Sequence, residues 1–256
     1  MGAIAAGSFC WVELATPNPA EAQQFYKKLF GWEAQQPPDA KHQYTLLARD
    51  GAIAAGCFQL PEELRKQNVP PHWLVYVATA NADDCATRAA ELGGKVVRAP
   101  FDAQDVGRLA VIQDPTGAVF AVWQAIQFSG FAARGNNAFC WADLVTPDAA
   151  RAGEFYGELF GWRLWKSEKD SSGYIHINNG ETTIGGVPPA SEHEPQAPPH
   201  WLTWFQVADC DASVEDAESA GARTLMRPSS MERVGRISIV QDPQGAALGL
   251  ITPAPR

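Results

Sequence analysis

The sequence is poor in the residues that announce chemistry. It has five cysteines, and none forms a Cys-x-x-Cys pair, so the count supports neither a disulfide framework nor a zinc knuckle. Cys10, Cys57, Cys85, Cys140 and Cys210 read as reduced, buried thiols. Lysine and arginine total 20 against 29 acidic residues, a net charge of −9 with no basic run. Such a surface repels a phosphate backbone, so nucleic acid is excluded as the expected partner. No apolar segment is long enough to span a bilayer, and MGAIAAGSF lacks the basic start and apolar stretch of a signal peptide. The expected location is therefore cytoplasmic. Also missing are a phosphate-binding G-x-x-x-x-G-K-[ST] loop, a dinucleotide G-x-G-x-x-G after a strand, a G-x-S-x-G elbow and an H-E-x-x-H helix.

What is present is repetition. FCWVELATPNPAEAQQFYKKLFGW at Phe9–Trp32 returns as FCWADLVTPDAARAGEFYGELFGW at Phe139–Trp162, identical at 14 of 24 positions. PPHWL recurs at Pro70 and Pro198, and VGRLAVIQDPTGA at Val106–Ala118 returns as VGRISIVQDPQGA at Val234–Ala246. One unit is written twice. With hydrophobic residues at 46% and charged residues at 19%, each copy can bury a core. The domains are expected at 1–127 and 138–256, each folding alone, joined through Ala125–Asn137.

Each half reads as strand, helix and several strands, twice over. Phe9–Thr16 alternates like a strand, and Pro19–Phe30 has helical apolar spacing. Asn18 and Asp148 stand at N-cap positions, and Gly31 and Gly161 at helix exits. A Pro-rich loop leads to HWLVYVAT, a helix near Asp83–Leu92 and a Gly-Gly stop, with DPTG and DPQG turns near each end.

On the A-x-x-FY-x-x-LFGW helix exits, the glycine stops and the DPxGA turns, the chain resembles the vicinal oxygen chelate superfamily, which includes glyoxalases, bleomycin-resistance proteins and extradiol dioxygenases. Its layout is similar to the two-domain 27 kDa antigen-like type. The resemblance implies an α+β fold of tandem glyoxalase-like domains, each of two paired βαβββ modules forming an open curled sheet around a cleft. In relatives that carry metal, ligands stand on the first strand of each module and seven residues after the DPxG aspartate. Those positions here are Trp11, Leu74 and Ala121, and in the repeat Trp141, Leu202 and Gly249. None offers the nitrogen or oxygen donor that a divalent cation requires, so no metal and no cofactor is expected.

Strand alternation then assigns the cleft faces. The ligand-binding candidates are Trp11, Glu13, His72, Tyr76, Arg108 and Trp123 in the first half, and Trp141, Asp143, His200, Trp204 and Arg236 in the second. Gln206 and Ser238 share the second set's parity. Arg108 and Arg236 are expected to reach into the clefts, with Leu109 and Val111 under the helix; alternatively Arg108 pairs with Glu13. His72 reads as a catalytic group or a cap on its proline-rich loop. Tyr26, Tyr156, Trp32 and Trp162 read as structural. His42, His176 and His193 have no counterpart in the repeat and read as loop or surface residues, and Pro188–Pro199 as a mobile loop beside its cleft.

The expected function is metal-free binding of a planar or aromatic small molecule in Trp-lined clefts by a monomer or homodimer. The alternatives are a glyoxalase- or dioxygenase-like enzyme, metal-dependent or using Glu13–His72 and Asp143–His200 for proton transfer, and an interaction protein whose clefts are closed by side chains. No catalytic residue is assigned.

Overall fold

The computed structural model describes residues 4–36, 44–168, 171–189 and 197–255. The first half runs β1 (Phe9–Thr16), α1 (Pro19–Phe30), β2 (Glu33–Gln35), β3 (Tyr44–Arg49), β4 (Ala52–Gln59), α2 (Glu62–Lys66), β5 (His72–Ala78), α3 (Ala82–Glu91), β6 (Lys95–Ala103), β7 (Gly107–Gln113) and β8 (Val119–Ala125). The second half repeats the plan with β9 (Ala138–Val145), α4 (Ala149–Phe160), β10 (Trp162–Lys166), β11 (Ile175–Asn179), β12 (Thr182–Val187), β13 (His200–Gln206), α5 (Cys210–Ser219), β14 (Arg223–Met231), β15 (Gly235–Gln241) and β16 (Ala247–Pro253). The short α2 falls where the sequence suggests only a loop. Among the described residues no helix is long and apolar enough to cross a membrane. His42 and His193 lie outside the described residues, as does 190–196 of the Pro188–Pro199 loop.

The helices begin and end where their sequences dictate. Asn18 accepts a hydrogen bond from the Glu21 amide and Asp148 from the Arg151 amide, occupying donors that the first turn cannot pair internally. Gly31 and Gly161 leave their helices at φ of 68° and 74°, a left-handed exit that glycine adopts without a Cβ penalty.

Each half supplies one open eight-stranded sheet. The orders are β2-β3-β4-β1-β5-β8-β7-β6 and β10-β11-β12-β9-β13-β16-β15-β14. Parallel neighbours such as β1–β4 and β5–β8 are bridged by crossovers, while hairpins add the outer strands antiparallel.

The chain also divides into two compact units that cut across this repeat. One comprises Met1–Trp11, Leu74–Gly130 and Ala142–Trp201; the other comprises Val12–Trp73, Phe131–Trp141 and Leu202–Arg256. Each unit therefore joins a module of the first half to a module of the second, and within it helices pack in pairs, α3 with α4 and α1 with α5.

A relay runs through the core of each unit. In the second, Trp73 Nε1 donates to Tyr26 Oη at 3.1 Å, and Tyr26 donates to Asp242 Oδ2 at 3.0 Å. The other oxygen of Asp242 accepts from the amides of Gln244, Gly245 and Ala246, which fixes the DPQG turn. In the first unit Trp201, Tyr156 and Asp114 repeat the relay at 3.0 and 2.9 Å, and Asp114 caps the DPTG turn. Burial pushes the Asp242 carboxyl up, against the pull of its donors. The tyrosines of the LFGW motifs are thus structural, and each joins its helix to a turn from the other half of the chain.

Candidate functional site

In β1, Trp11, Glu13 and Ala15 share a face, since alternate residues of a strand point the same way. Trp11 is buried, with the Phe128 ring edge-on at 5.0 Å. Trp123 donates from Nε1 to the Phe128 carbonyl at 2.8 Å, and Tyr76 stands edge-on to Trp123 at 6.4 Å. The first aromatic wall thus carries its own phenylalanine cover. Trp141, the second-half counterpart of Trp11, is half-buried. Trp204 is buried and lies against Gly249, where an added Cβ would come within 2.2 Å of the indole.

Both first-strand carboxylates are buried and held by a tyrosine that the sequence reading missed. Tyr44 donates to Glu13 at 2.9 Å, and Tyr174 donates to Asp143 at 2.5 Å. Each phenol crosses a glycine: a Cβ at Gly56 would meet Tyr44 Oη at 2.2 Å, and one at Gly186 would meet Tyr174 Oη at 2.0 Å. The signal was available, because the Tyr and the Gly recur in both copies at one offset.

His72 and His200 start β5 and β13 and turn back on their loops. Nδ1 of each lies 2.8 Å from a carbonyl, of Pro70 and Pro198, so that nitrogen carries the proton. Burial lowers the His72 pKa, with the Pro70 carbonyl pulling the other way. These contacts fit the loop-capping reading.

The arginines stand on the opposite face from the one expected. Arg108 pairs with Asp83 in the first turn of α3, at 2.6 and 2.9 Å, and with Asp102 at 2.7 Å. Arg236 pairs with Asp211 of α5 at 2.6 and 2.7 Å. Leu109 is the register partner of Trp123, so it shares the Trp123 face, and Arg108 and Ala110 take the helix side. The expectation inverted because Leu109, Ala110, Val111 and Ile112 are all apolar and leave alternation nothing to contrast. Ser238, of the same parity as Arg236, donates to the Met226 carbonyl, and Gln206 donates to Asn136.

Burial argues against reactivity at Cys10 and Cys57. Cys10 is buried and its thiol pKa is raised by burial, as is that of Cys57, pushed up to about 12. The sequence reading of Cys140 as a buried thiol is corrected, because that residue is exposed.

The residues at the positions where metal-bearing relatives carry ligands present indole, isobutyl, methyl and bare backbone. Among the described residues no three His, Cys, Asp or Glu side chains converge. This donor set does not fit a divalent cation. A depression beside α1 is lined by Glu21, Phe25, Lys28, Asp242 and Pro243, and none of the candidate residues lines it.

Comparison with known proteins gives a consistent picture. Residues 138–250 match the Glyoxalase/Bleomycin resistance protein/Dioxygenase superfamily, and residues 11–123 match the Glyoxalase-like domain. The chain is 32% identical over 254 residues to "Putative glyoxylase CFP32" of Mycobacterium tuberculosis, covering 96% of this chain and 95% of that protein. It is 31% identical to the anthracycline biosynthesis protein DnrV of Streptomyces peucetius, covering 98% and 95%. The Mn(II)-bound glyoxalase of Novosphingobium aromaticivorans shares the fold at TM-score 0.66 and 14% identity, over 96% of this chain and 82% of that one. With motif, topology and full-length similarity in agreement, the chain belongs to the Glyoxalase/Bleomycin resistance protein/Dioxygenase superfamily.

Proposed function

We propose that this member of the superfamily binds a planar or aromatic small molecule without a metal ion, on the tryptophan-bearing faces of its sheets. The observation that carries the reading is the side-chain set at the family's ligand positions, where Trp11, Leu74, Ala121, Trp141, Leu202 and Gly249 supply no donor. Aromatic walls with a few fixed polar groups are what sites for such ligands use. In the first half we assign Trp11, Tyr76 and Trp123 to the wall, with Glu13 and His72 as polar groups. In the second we assign Trp141 and Trp204, with Asp143 and His200. Arg108 and Arg236 leave the set, because their donors are committed to Asp83, Asp102 and Asp211. The relative named for anthracycline biosynthesis supports an aromatic ligand, since anthracyclines are polycyclic aromatics. The repeat boundaries 1–127 and 138–256 remain our proposal for the unit that was duplicated.

A second reading, an enzyme using Glu13 or Asp143 as a proton acceptor, is favoured by the burial of both carboxylates and by the relative named as a glyoxylase. Tryptophan fluorescence separates the readings. Titration of the purified chain with planar aromatics is expected to quench emission saturably, with the compound recovered unchanged. Chemical turnover of the bound compound would instead support the enzyme.

A further inference from the structure

The chain leaving β8 turns back over the first aromatic wall. Ala125, Ile126 and Gln127 are exposed, and Phe128 then turns inward and is half-buried. Its ring stands edge-on to Trp11 at 5.0 Å and to Trp123 at 6.3 Å, and both indoles are buried. Edge-on rings at such separations attract beyond the area they cover.

The segment is fastened at few points. The Val106 carbonyl accepts from the amides of Ile126, Gln127 and Phe128 at 3.1, 3.0 and 3.1 Å. A carbonyl oxygen has two lone pairs, so three donors share one acceptor. Trp123 Nε1 donates to the Phe128 carbonyl at 2.8 Å, and Gln127 Nε2 donates to Asp105 at 2.9 Å on the surface. At the far end Gly130 has a φ of 127°, and a Cβ there would come within 2.0 Å of the Cys10 carbonyl oxygen on β1. Only glycine fits that crossing. The segment is thus tethered at Ala125 and Gly130, with one ring between them pressed on the wall.

The second half lacks this fastening. Ala78 is the register partner of Trp123, and its repeat counterpart Gln206 is the partner of Ile251, so isoleucine stands where the first half has an indole. Its side chain has no N–H to donate. Gly107 accommodates the Trp123 ring, where a Cβ would meet the indole at 2.2 Å, whereas a Cβ at the matching Gly235 would meet only backbone of Thr252, Pro253 and Ala254.

We propose that residues 126–130 form a strap, with Phe128 as its plug and Trp123 Nε1 as its latch. The strap opens locally while the sheet stays folded, and Trp11 and Trp123 become accessible only when it lifts. Opening separates no strand from its neighbour, and the amides of the exposed Ile126 and Gln127 exchange a shared acceptor for water. The strap's role as a gate rests on the reading of this wall as a binding face; its opening does not, and is measured without a ligand.

The test uses the full chain, hydrogen exchange followed by NMR, and acrylamide quenching of tryptophan emission. The amides of 126–128 are expected to exchange at least about a hundredfold faster than those of the β7–β8 ladder. Trp123→Phe, which keeps a ring and loses the N–H, should speed strap exchange by about tenfold, the worth of one hydrogen bond, with the ladder unchanged. Phe128→Ala should also speed the strap alone and should raise acrylamide quenching, because two of the nine tryptophans lose their cover. Phe128→Leu, which keeps an apolar plug, should quench close to wild type. Strap amides that exchange in wild type at the ladder's rate would overturn the proposal. So would Phe128→Ala that speeds strap and ladder equally, which would mark Phe128 as core packing. A strap that opens as expected, in a chain whose emission no planar aromatic quenches, would overturn the gate together with the binding reading and leave the strap itself standing.

Discussion

At the scale of single residues, position relative to the sheet decides role. Arg108 and Arg236 carry the charge that the sequence offered for ligand binding, yet they anchor the first turns of α3 and α5 through Asp83 and Asp211. Those turns stand at the positive end of the helix dipole, so an aspartate there is favoured by the helix as well as by the guanidinium. The hydrogen bonds from Arg108 and Arg236 hold the Asp83 and Asp211 carboxyls below the usual range. A carboxylate whose folded pKa is depressed stabilises the fold above its unfolded pKa, about 3.9 for aspartate. That stability is lost as pH falls through the folded value. The melting-temperature gap between wild type and Asp83→Asn is therefore expected to be full near neutrality, to close below about pH 4, and to narrow in high salt, because the pair is exposed. A gap that widens on acidification would contradict the pairing. His72 has the same sign in a higher window. Burial depresses its pKa, so the unfolded chain takes up the proton first once pH falls below about 6.5. His72→Gln should flatten the melting-temperature profile between about pH 7 and pH 5, where wild type declines.

At the scale of elements, the relay from tryptophan through tyrosine to the turn aspartate ties helix to turn in each unit. Tyr26→Phe leaves Trp73 Nε1 and one oxygen of Asp242 without their partner, and Tyr156→Phe does the same to Trp201 and Asp114. Each substitution is expected to cost about 1–3 kcal/mol in urea-induced unfolding, as for other buried groups deprived of a partner. A cost near zero would mean that water replaces the phenol. Much of this level was legible in the sequence. The caps at Asn18 and Asp148, the glycine exits and the DPxG turns depend on local chemistry, which one stretch of chain displays. The face of β1 was legible because Glu13 stands between Val12 and Leu14. The face of β7 was not, because helices cover one side and aromatic rings the other, and Leu109–Ile112 is apolar throughout. Tyr44 and Tyr174 escaped notice because their roles arise across strands, from a register that linear spacing does not reveal, and His176, read as a loop or surface residue, stands in β11.

At the scale of the whole molecule, the repeat and the compact units divide the chain differently. The repeat invites the expectation that residues 1–127 fold alone, yet Tyr26 finds its aspartate at Asp242 and Asp114 finds its tyrosine at Tyr156. A fragment of residues 1–127 deprives Tyr26 of its acceptor and Asp114 of its phenol donor, and separates α1 from α5 and α3 from α4. It is expected to show no cooperative melt by circular dichroism, whereas co-expression with 138–256 should restore one. A native-like melt of the fragment alone would show that each half carries its own core. The central claim, that this chain keeps the superfamily fold and has exchanged metal ligation for aromatic recognition, is tested most directly by a dissociation constant. Binding of 2,6-dihydroxyanthraquinone should be measured on metal-stripped protein, then again after addition of Mn(II), Fe(II), Zn(II) or Ni(II). The account predicts the same dissociation constant in every case, with no metal retained on desalting. Binding that appears only with a metal, with one ion retained per half, would contradict it.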